Sequence, residues 1–133
     1  MVWDRTHTVM PNGLGLQGDY SSTQSSIAIP NPANPLRYYL FTTALFLGTR
    51  YSEIDMSLNG GKGDVLTATK NTLLISNSES SEKLIATRHC NRTDYWVITH
   101  KLNSTAFYVY LVNTAGIQPP VIFNIGSMIG SAA

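Results

Sequence analysis

RHCNRTDYWVITH, Arg88 to His100, gathers one cysteine, two histidines, one aspartate, two arginines and a tryptophan into thirteen positions. Such density belongs either to a metal or nucleophile site or to a structural hairpin, and its second half decides which. DYWVITH, Asp94 to His100, lies over RYYLFTT, Arg37 to Thr43, at an offset of 57 that sets Tyr38 on Tyr95, Tyr39 on Trp96, Leu40 on Val97, Phe41 on Ile98 and Thr42 on Thr99. The same offset carries back through the preceding strand without a gap, with Ile27 on Leu84 and Asn34 on Asn91. It slips to 56 afterwards, with Tyr51 on Phe107 and Asn59-Gly60 on Ala115-Gly116, as expected if a loop lost one residue. The chain repeats itself.

Both copies read as strands. Segments 25–30, 37–43, 49–58, 71–77, 82–89, 94–102, 106–113 and 120–127 are short and rich in β-branched and aromatic residues. Turn signals separate them: Asn31-Pro32, Asn34-Pro35, Asn59-Gly60-Gly61, Asn91 to Asp94, Asn103-Ser104 and Ala115-Gly116. No segment has a helical period, so the expectation is an all-β chain of antiparallel meanders.

A four-stranded antiparallel unit that recurs is the pattern of a β-propeller blade. The period exceeds the ~40–50 residues of the WD and kelch repeats, and the surplus falls on the loop NGGKGDVLTATK, residues 59–70. Tyr38 to Phe41 and Tyr95 to Ile98 are apolar on both alternations, which suits sheets covered on both faces. The expected organisation is an incomplete propeller of WD/YVTN-like blades, about two and a half in number: a remnant over 1–24, a blade over 25–81 and another over 82–133. Closed rings use about four to eight blades, so this length does not close one. An open arc leaves apolar faces and unpaired edges at its ends, which predicts self-association or the remaining blades of a longer chain as partners. The residues expected to frame the blades are Trp3, Asp4, Tyr38, Tyr39, Asp55, Asn91, Asp94, Tyr95 and Trp96.

The blocks MPNG (10–13), SSTQS (21–25), DMSLNGGKGDV (55–65), EKLIATRHCNRTDYWVITH (82–100) and FYVYLVNTAGI (107–117) together resemble the N-terminal propeller region of gliding motility-associated C-terminal domain proteins, the type IX secretion sorting-domain surface proteins of gliding gram-negative bacteria. The resemblance spans nearly the whole chain. It implies a secreted, cell-surface protein with a non-catalytic role in recognition, adhesion or display, and a surface glycan or protein as partner. It carries over no catalytic residue. Family members bear a signal peptide and a sorting domain, and neither pattern is present in these residues.

The chemistry-bearing residues have local explanations. His89, Cys90 and His100 have the identities of a zinc triad with an open position. Extended strand 95–100 would hold the two histidines roughly 17–20 Å apart, too far to share an ion. Cys90 has cationic neighbours in Arg88, His89 and Arg92, yet lacks an ordered partner set for nucleophilic work. NGGKGD, 59–64, departs from a phosphate loop because Gly63 follows Lys62 and no helix follows. Asp55, Asn59 and Asp64 offer oxygens to a calcium ion but lack EF-hand spacing. Trp3-Asp4 is not repeated in either full unit; Ile54-Asp55 stands in the comparable place, where an acidic residue accepting the next turn's amides would serve both. Arg5, Arg37, Arg50, Arg88 and Arg92 fall on no shared motif of the sialidase kind. The sequons Asn91-Arg92-Thr93 and Asn103-Ser104-Thr105 have no meaning in a bacterial setting.

Composition narrows the functional classes. A net charge of +1 with 13% charged residues supplies no polybasic face for nucleic acid. One cysteine excludes an internal disulfide framework. The longest apolar run, YYLFTTALFLG, is broken by Thr42 and Thr43 and falls short of the ~20 residues of a membrane helix. The expectation is therefore no cofactor, no nucleic acid and no membrane insertion. The other readings are part of a secreted carbohydrate-active propeller enzyme, or a truncated fragment with no activity of its own.

Overall fold

Aromatic and β-branched residues fill the chain, and among the described residues they assemble into ten strands. The computed structural model describes residues 1–130; the last three residues of the 82–133 unit lie outside the described residues. The first five strands are β1 (Ser26–Asn31), β2 (Asn34–Ala44), β3 (Gly48–Asp55), β4 (Asp64–Val65) and β5 (Thr72–Ile75). The second five are β6 (Ser80–Arg88), β7 (Tyr95–Lys101), β8 (Ser104–Asn113), β9 (Gly116–Ile117) and β10 (Val121–Ile129). The only helical piece among the described residues is a 3₁₀ turn at Asn59–Gly61.

Each set of five forms one antiparallel sheet of the same plan. β1, β2 and β3 run as a meander with β4 and β5 both on the far edge of β3, while β6, β7 and β8 form a meander with β9 and β10 both on β8. The two-residue strands β4 and β9 escape a sequence reading because two residues carry no period. They close the third strand of each sheet, pairing Ile54 with Val65 and Val112 with Ile117.

The registers correct the expected repeat. Tyr39 pairs with Ile29 and Phe41 with Tyr51, whereas their counterparts Trp96 and Ile98 pair with Thr87 and Val109. Ile27 is thus equivalent to Ile85, not Leu84, and Tyr51 to Val109, not Phe107. The offset is 58 on the first and third strands and 57 only on the second. The first hairpin is one residue shorter in the second sheet, and the next loop gains a residue instead of losing one. Side chains alternate between faces, so the Ile27-to-Leu84 slip assigned a residue to the wrong side of the sheet.

The sheets pack face against face. Ile29, Tyr39 and Phe41 of the first meet Leu84, Val97, Tyr110 and Val112 of the second in one buried cluster, with Ile75. Full burial of a side chain such as Phe41 stabilises by about 1.5–3 kcal/mol. The opposite face of the first sheet, with Tyr38, Leu40 and Ile54, packs on Met10 and Val2. That N-terminal segment is tied down by polar contacts. Asp64 accepts the Asn12 amide at 2.8 Å, Lys70 Nζ donates to the Asn12 carbonyl at 2.9 Å, and Asn71 accepts the Gln17 amide at 2.9 Å. Gly63, at φ 88°, permits the approach, since a Cβ there would come within 3.0 Å of Met10 Cε and 2.8 Å of Met56 Sδ.

A buried hydroxyl cluster fastens one sheet to the other. Thr43 Oγ1 lies 3.0 Å from Thr49 Oγ1 and 2.9 Å from Ser80 Oγ, and it donates to the Ser81 carbonyl at 2.7 Å. Thr49 Oγ1 and Ser80 Oγ are 2.8 Å apart. Three hydroxyl protons serve the whole cluster, so each of its members must donate once for the set to be satisfied.

Candidate functional site

A cleft of about 520 Å³ opens between the two sheets at the β3 and β8 ends. Tyr39 and Tyr51 line one wall, Tyr110 the other, and Glu53, Gln118 and Pro119 line the remainder. The tyrosines are there because β2 and β3 alternate, so that Tyr39, Phe41 and Tyr51 share the face turned toward the second sheet. Tyr39 and Tyr51 meet edge to face, with centroids 6.0 Å apart and an angle of 70°. Tyr110 donates to the Leu74 carbonyl at 3.4 Å.

Burial, reinforced by the Glu53 carboxylate and Tyr51, raises the Tyr39 phenol above its ordinary 10.0. Tyr110 is raised by burial and then by Tyr108. Both are therefore neutral phenols across the physiological range, able to donate as well as accept. Arg37 donates from Nε to Asp55 at 2.9 Å and lies 3.8 Å from Glu53, which anchors the acidic rim. The cleft has the size of a small-ligand site, and it offers aromatic walls, one carboxylate and one amide.

The framing residues fall into two groups. Tyr39 belongs to the cleft, while Tyr38 lies on the other face of β2 with Leu40. Asp4 and Asp55 close the turns that follow a paired strand residue. Asp4 accepts the Thr6 amide at 2.7 Å and the Thr8 amide at 3.1 Å, and Asp55 accepts the Ser57 amide at 2.9 Å. Hydrogen bonds from Thr6 to Asp4, and from Ser57 to Asp55, hold both carboxyls below their ordinary 3.8. Trp3 is exposed and bridges to Val9 across the Asp4 turn. Asn91 caps its own hairpin, accepting the Thr93 and Asp94 amides at 3.0 Å each and donating to the Asp94 carboxylate at 2.8 Å. Trp96 carries His89 on its ring at a centroid distance of 5.3 Å. Tyr95 packs at the edge of the inter-sheet core.

The opening stretch does not converge. His89 accepts the Asn91 amide at 3.1 Å within the hairpin, and His100 stacks edge-on to Phe107 at 4.4 Å at the other end of β7. Cys90 is exposed. Among the described residues no three His, Cys, Asp or Glu side chains are grouped as a metal site would require. Asp55 and Asp64 stand opposite each other on β3 and β4, yet Asp55 is taken up by Ser57 and Arg37 and Asp64 by Asn12 and Val65.

Sequence reading missed Tyr51, Glu53, Tyr110 and Gln118. The signal was available for Tyr51, two residues before Glu53 on an alternating strand. Gln118 and Tyr110 join the cleft only through the packing of the second sheet. Comparison with protein-family models, with curated proteins and with solved structures finds no match for the chain.

Proposed function

We propose that this chain is a stacked, propeller-type segment of a bacterial cell-surface protein, extracellular and tied to gliding motility, whose role is recognition or adhesion rather than catalysis. The observation that carries the stacked reading is a turn that recurs three times. Asp4, Asp55 and Asn113 each accept the amide two residues on, at 2.7, 2.9 and 2.8 Å, and each follows a residue paired with the returning chain: Trp3 with Val9, Ile54 with Val65 and Val112 with Ile117. On this reading residues 1–24 go with a first unit, ahead of the units 25–81 and 82–133. The surface-protein reading draws its support from the linked blocks between MPNG and FYVYLVNTAGI.

The tyrosine cleft is the seat of recognition. The partly buried Tyr51 ring takes the apolar face of a sugar ring or a peptide side chain. Glu53 and the Gln118 side-chain oxygen accept from its polar edge, the Gln118 Nε2 being held by Asn113 and the Gly116 carbonyl. Glycoside hydrolysis uses a pair of carboxyls flanking the bond; Glu53 is the one carboxylate among the residues lining this cleft. Titration calorimetry against a panel of surface oligosaccharides tests the reading. Binding that Tyr51→Ala and Glu53→Gln abolish, with no reducing ends released, is expected. Absence of binding across the panel by folded protein overturns the glycan-recognition role, and release of reducing ends overturns the non-catalytic one.

A further inference from the structure

The first sheet is covered on its inner face by the second sheet and on part of its far face by Val2 and Met10, with exposed Ala28 beside the covered part. The second sheet is bare on one face among the described residues. Ile85 of β6, Trp96 and Ile98 of β7, Phe107 of β8 and Val121 and Phe123 of β10 share a face by register. Ile85, Val121 and Phe123 on it are exposed. A contiguous apolar sheet face of this kind marks an interaction surface.

The internal repeat identifies what fits it. Trp96 and Ile98 hold the places of Tyr39 and Phe41, which are buried because the second sheet lies on them. One step further along, His100 holds the place of Thr43 and Phe107 that of Thr49. Thr43 and Thr49 bond Ser80 and Ser81 at the entry to the neighbouring sheet. His100 is 1% exposed, and both of its ring nitrogens lack a hydrogen-bond partner among the described residues. Its ring lines a recess of about 210 Å³ together with Ile85, Ile98 and Phe107. An imidazole buried without a partner is costly, and here it occupies the position from which the other sheet is fastened to its neighbour.

The complementary half lies at the other end of the chain. The far face of the first sheet carries Ala28, Leu40 and Thr42, and residues of the N-terminal segment leave a cleft of about 530 Å³ against it. The strand entering this sheet is led by serines, and the Ser22 hydroxyl is buried without a partner. Leu40 and Thr42 are the counterparts of Val97 and Thr99, on the face of the second sheet that already seats on Tyr39 and Phe41.

We propose that a second copy of this chain docks head to tail, its Ala28–Leu40 face on the Trp96–Ile98 face of the first, with the serine-led entry to its β1 beside His100. This rests on the stacked-sheet reading above and extends the interface already present inside the chain. A contact between two different faces is heterologous, so it propagates until a ring closes or a fibre grows.

Size-exclusion chromatography with light scattering over a range of concentrations tests the proposal, with circular dichroism on every variant. The wild-type chain is expected to exceed its 14.6 kDa monomer mass increasingly as concentration rises. Ile85→Lys blocks one face and Ala28→Lys the other, both at exposed positions. Each variant alone is expected to remain a monomer, and an equimolar mixture to give a two-chain species, because one intact pair of faces remains between them. His100→Leu is expected to weaken association at least tenfold. A wild-type monomer with β-sheet dichroism at all concentrations overturns the proposal. So does association that survives both lysine variants, or a mixture that stays monomeric while the wild type assembles. Oligosaccharide titration of monomeric Ile85→Lys reads the tyrosine cleft separately, so failure of docking and failure of recognition are distinguishable.

Discussion

The hydroxyls of Thr43 in β2 and Ser80 in β6 meet at 2.9 Å, both fully buried, at the point where one sheet is fastened to the next. Thr43 also reaches Thr49 and the Ser81 carbonyl, so it is the hub of the cluster. Thr43→Val keeps the shape and removes three of the cluster's contacts, leaving Ser80 to donate to the Ser81 carbonyl at 3.1 Å while it pairs with Thr49 at 2.8 Å. Urea unfolding at fixed protein concentration is expected to show a loss of about 0.5–1.5 kcal/mol. The double variant with Ser80→Ala is expected to cost clearly less than the two single losses added together.

Phe41 stands in the centre of the inter-sheet core with no exposed surface. Phe41→Ala removes its contacts to both sheets at once and is expected to cost about 3–5 kcal/mol. Ile27→Ala, at the partly buried edge of the same cluster, is expected to cost distinctly less in the same unfolding assay.

The unpartnered imidazole of His100 gives a prediction of opposite sign. His100→Leu removes two buried nitrogens that have no hydrogen bond and keeps an apolar side chain against Phe107. In the Ile85→Lys background, where the docking face is blocked, the melting temperature is expected to stay level or rise. A clear fall would mean that the ring nitrogens have partners in solution.

Acid should loosen the turns before it loosens the core. Hydrogen bonds from Thr6 to Asp4 and from Ser57 to Asp55 lower both carboxyls below 3.8 in the folded chain, and the Lys101 hydrogen bond lowers Glu79 below 4.5. A depressed folded pKa gives stability that is present above the unfolded value and lost as pH falls through the folded one. Thermal melts are therefore expected to decline as the pH drops from about 5 toward 2. Asp55→Asn keeps an acceptor for the Ser57 amide, as Asn113 does for Ala115 in the second sheet. It is expected to fold and to give a shallower acid limb.

At high pH the tyrosines reverse this sense. Burial raises Tyr39 and Tyr110 above 10.0, so the folded chain holds them neutral while the unfolded chain ionises them near 10.0. Stability is full below that value and is lost as pH rises beyond it. Absorbance at tyrosinate wavelengths is expected to rise in two stages, the buried phenols appearing together with unfolding. Tyr110→Phe is expected to reduce the alkaline loss.

Element type was legible in the sequence because it is set locally. Short runs of aromatic and β-branched residues such as Arg37 to Thr43 favour strands, and Asn and Gly at turns such as Asn59-Gly60 and Asn103 adopt the positive φ that those turns need. The repeat of Tyr38–Thr42 on Tyr95–Thr99 was legible for the same reason. The exact pairing was not, since one residue more or less in a hairpin moves a whole strand by one register without altering its composition. Only the folded chain made Ile27 equivalent to Ile85, paired β4 and β9 with their third strands, and brought Tyr110 across to Tyr39. The residues 88–100 illustrate both halves. Their types dictated a hairpin that holds His89 and an extended strand that carries His100 away from it, while the packing of the folded chain buried His100 without a partner among the described residues. Strand formation answers to neighbours along the chain; register, burial and the open face answer to residues dozens of positions away, which meet only when the sheets stack.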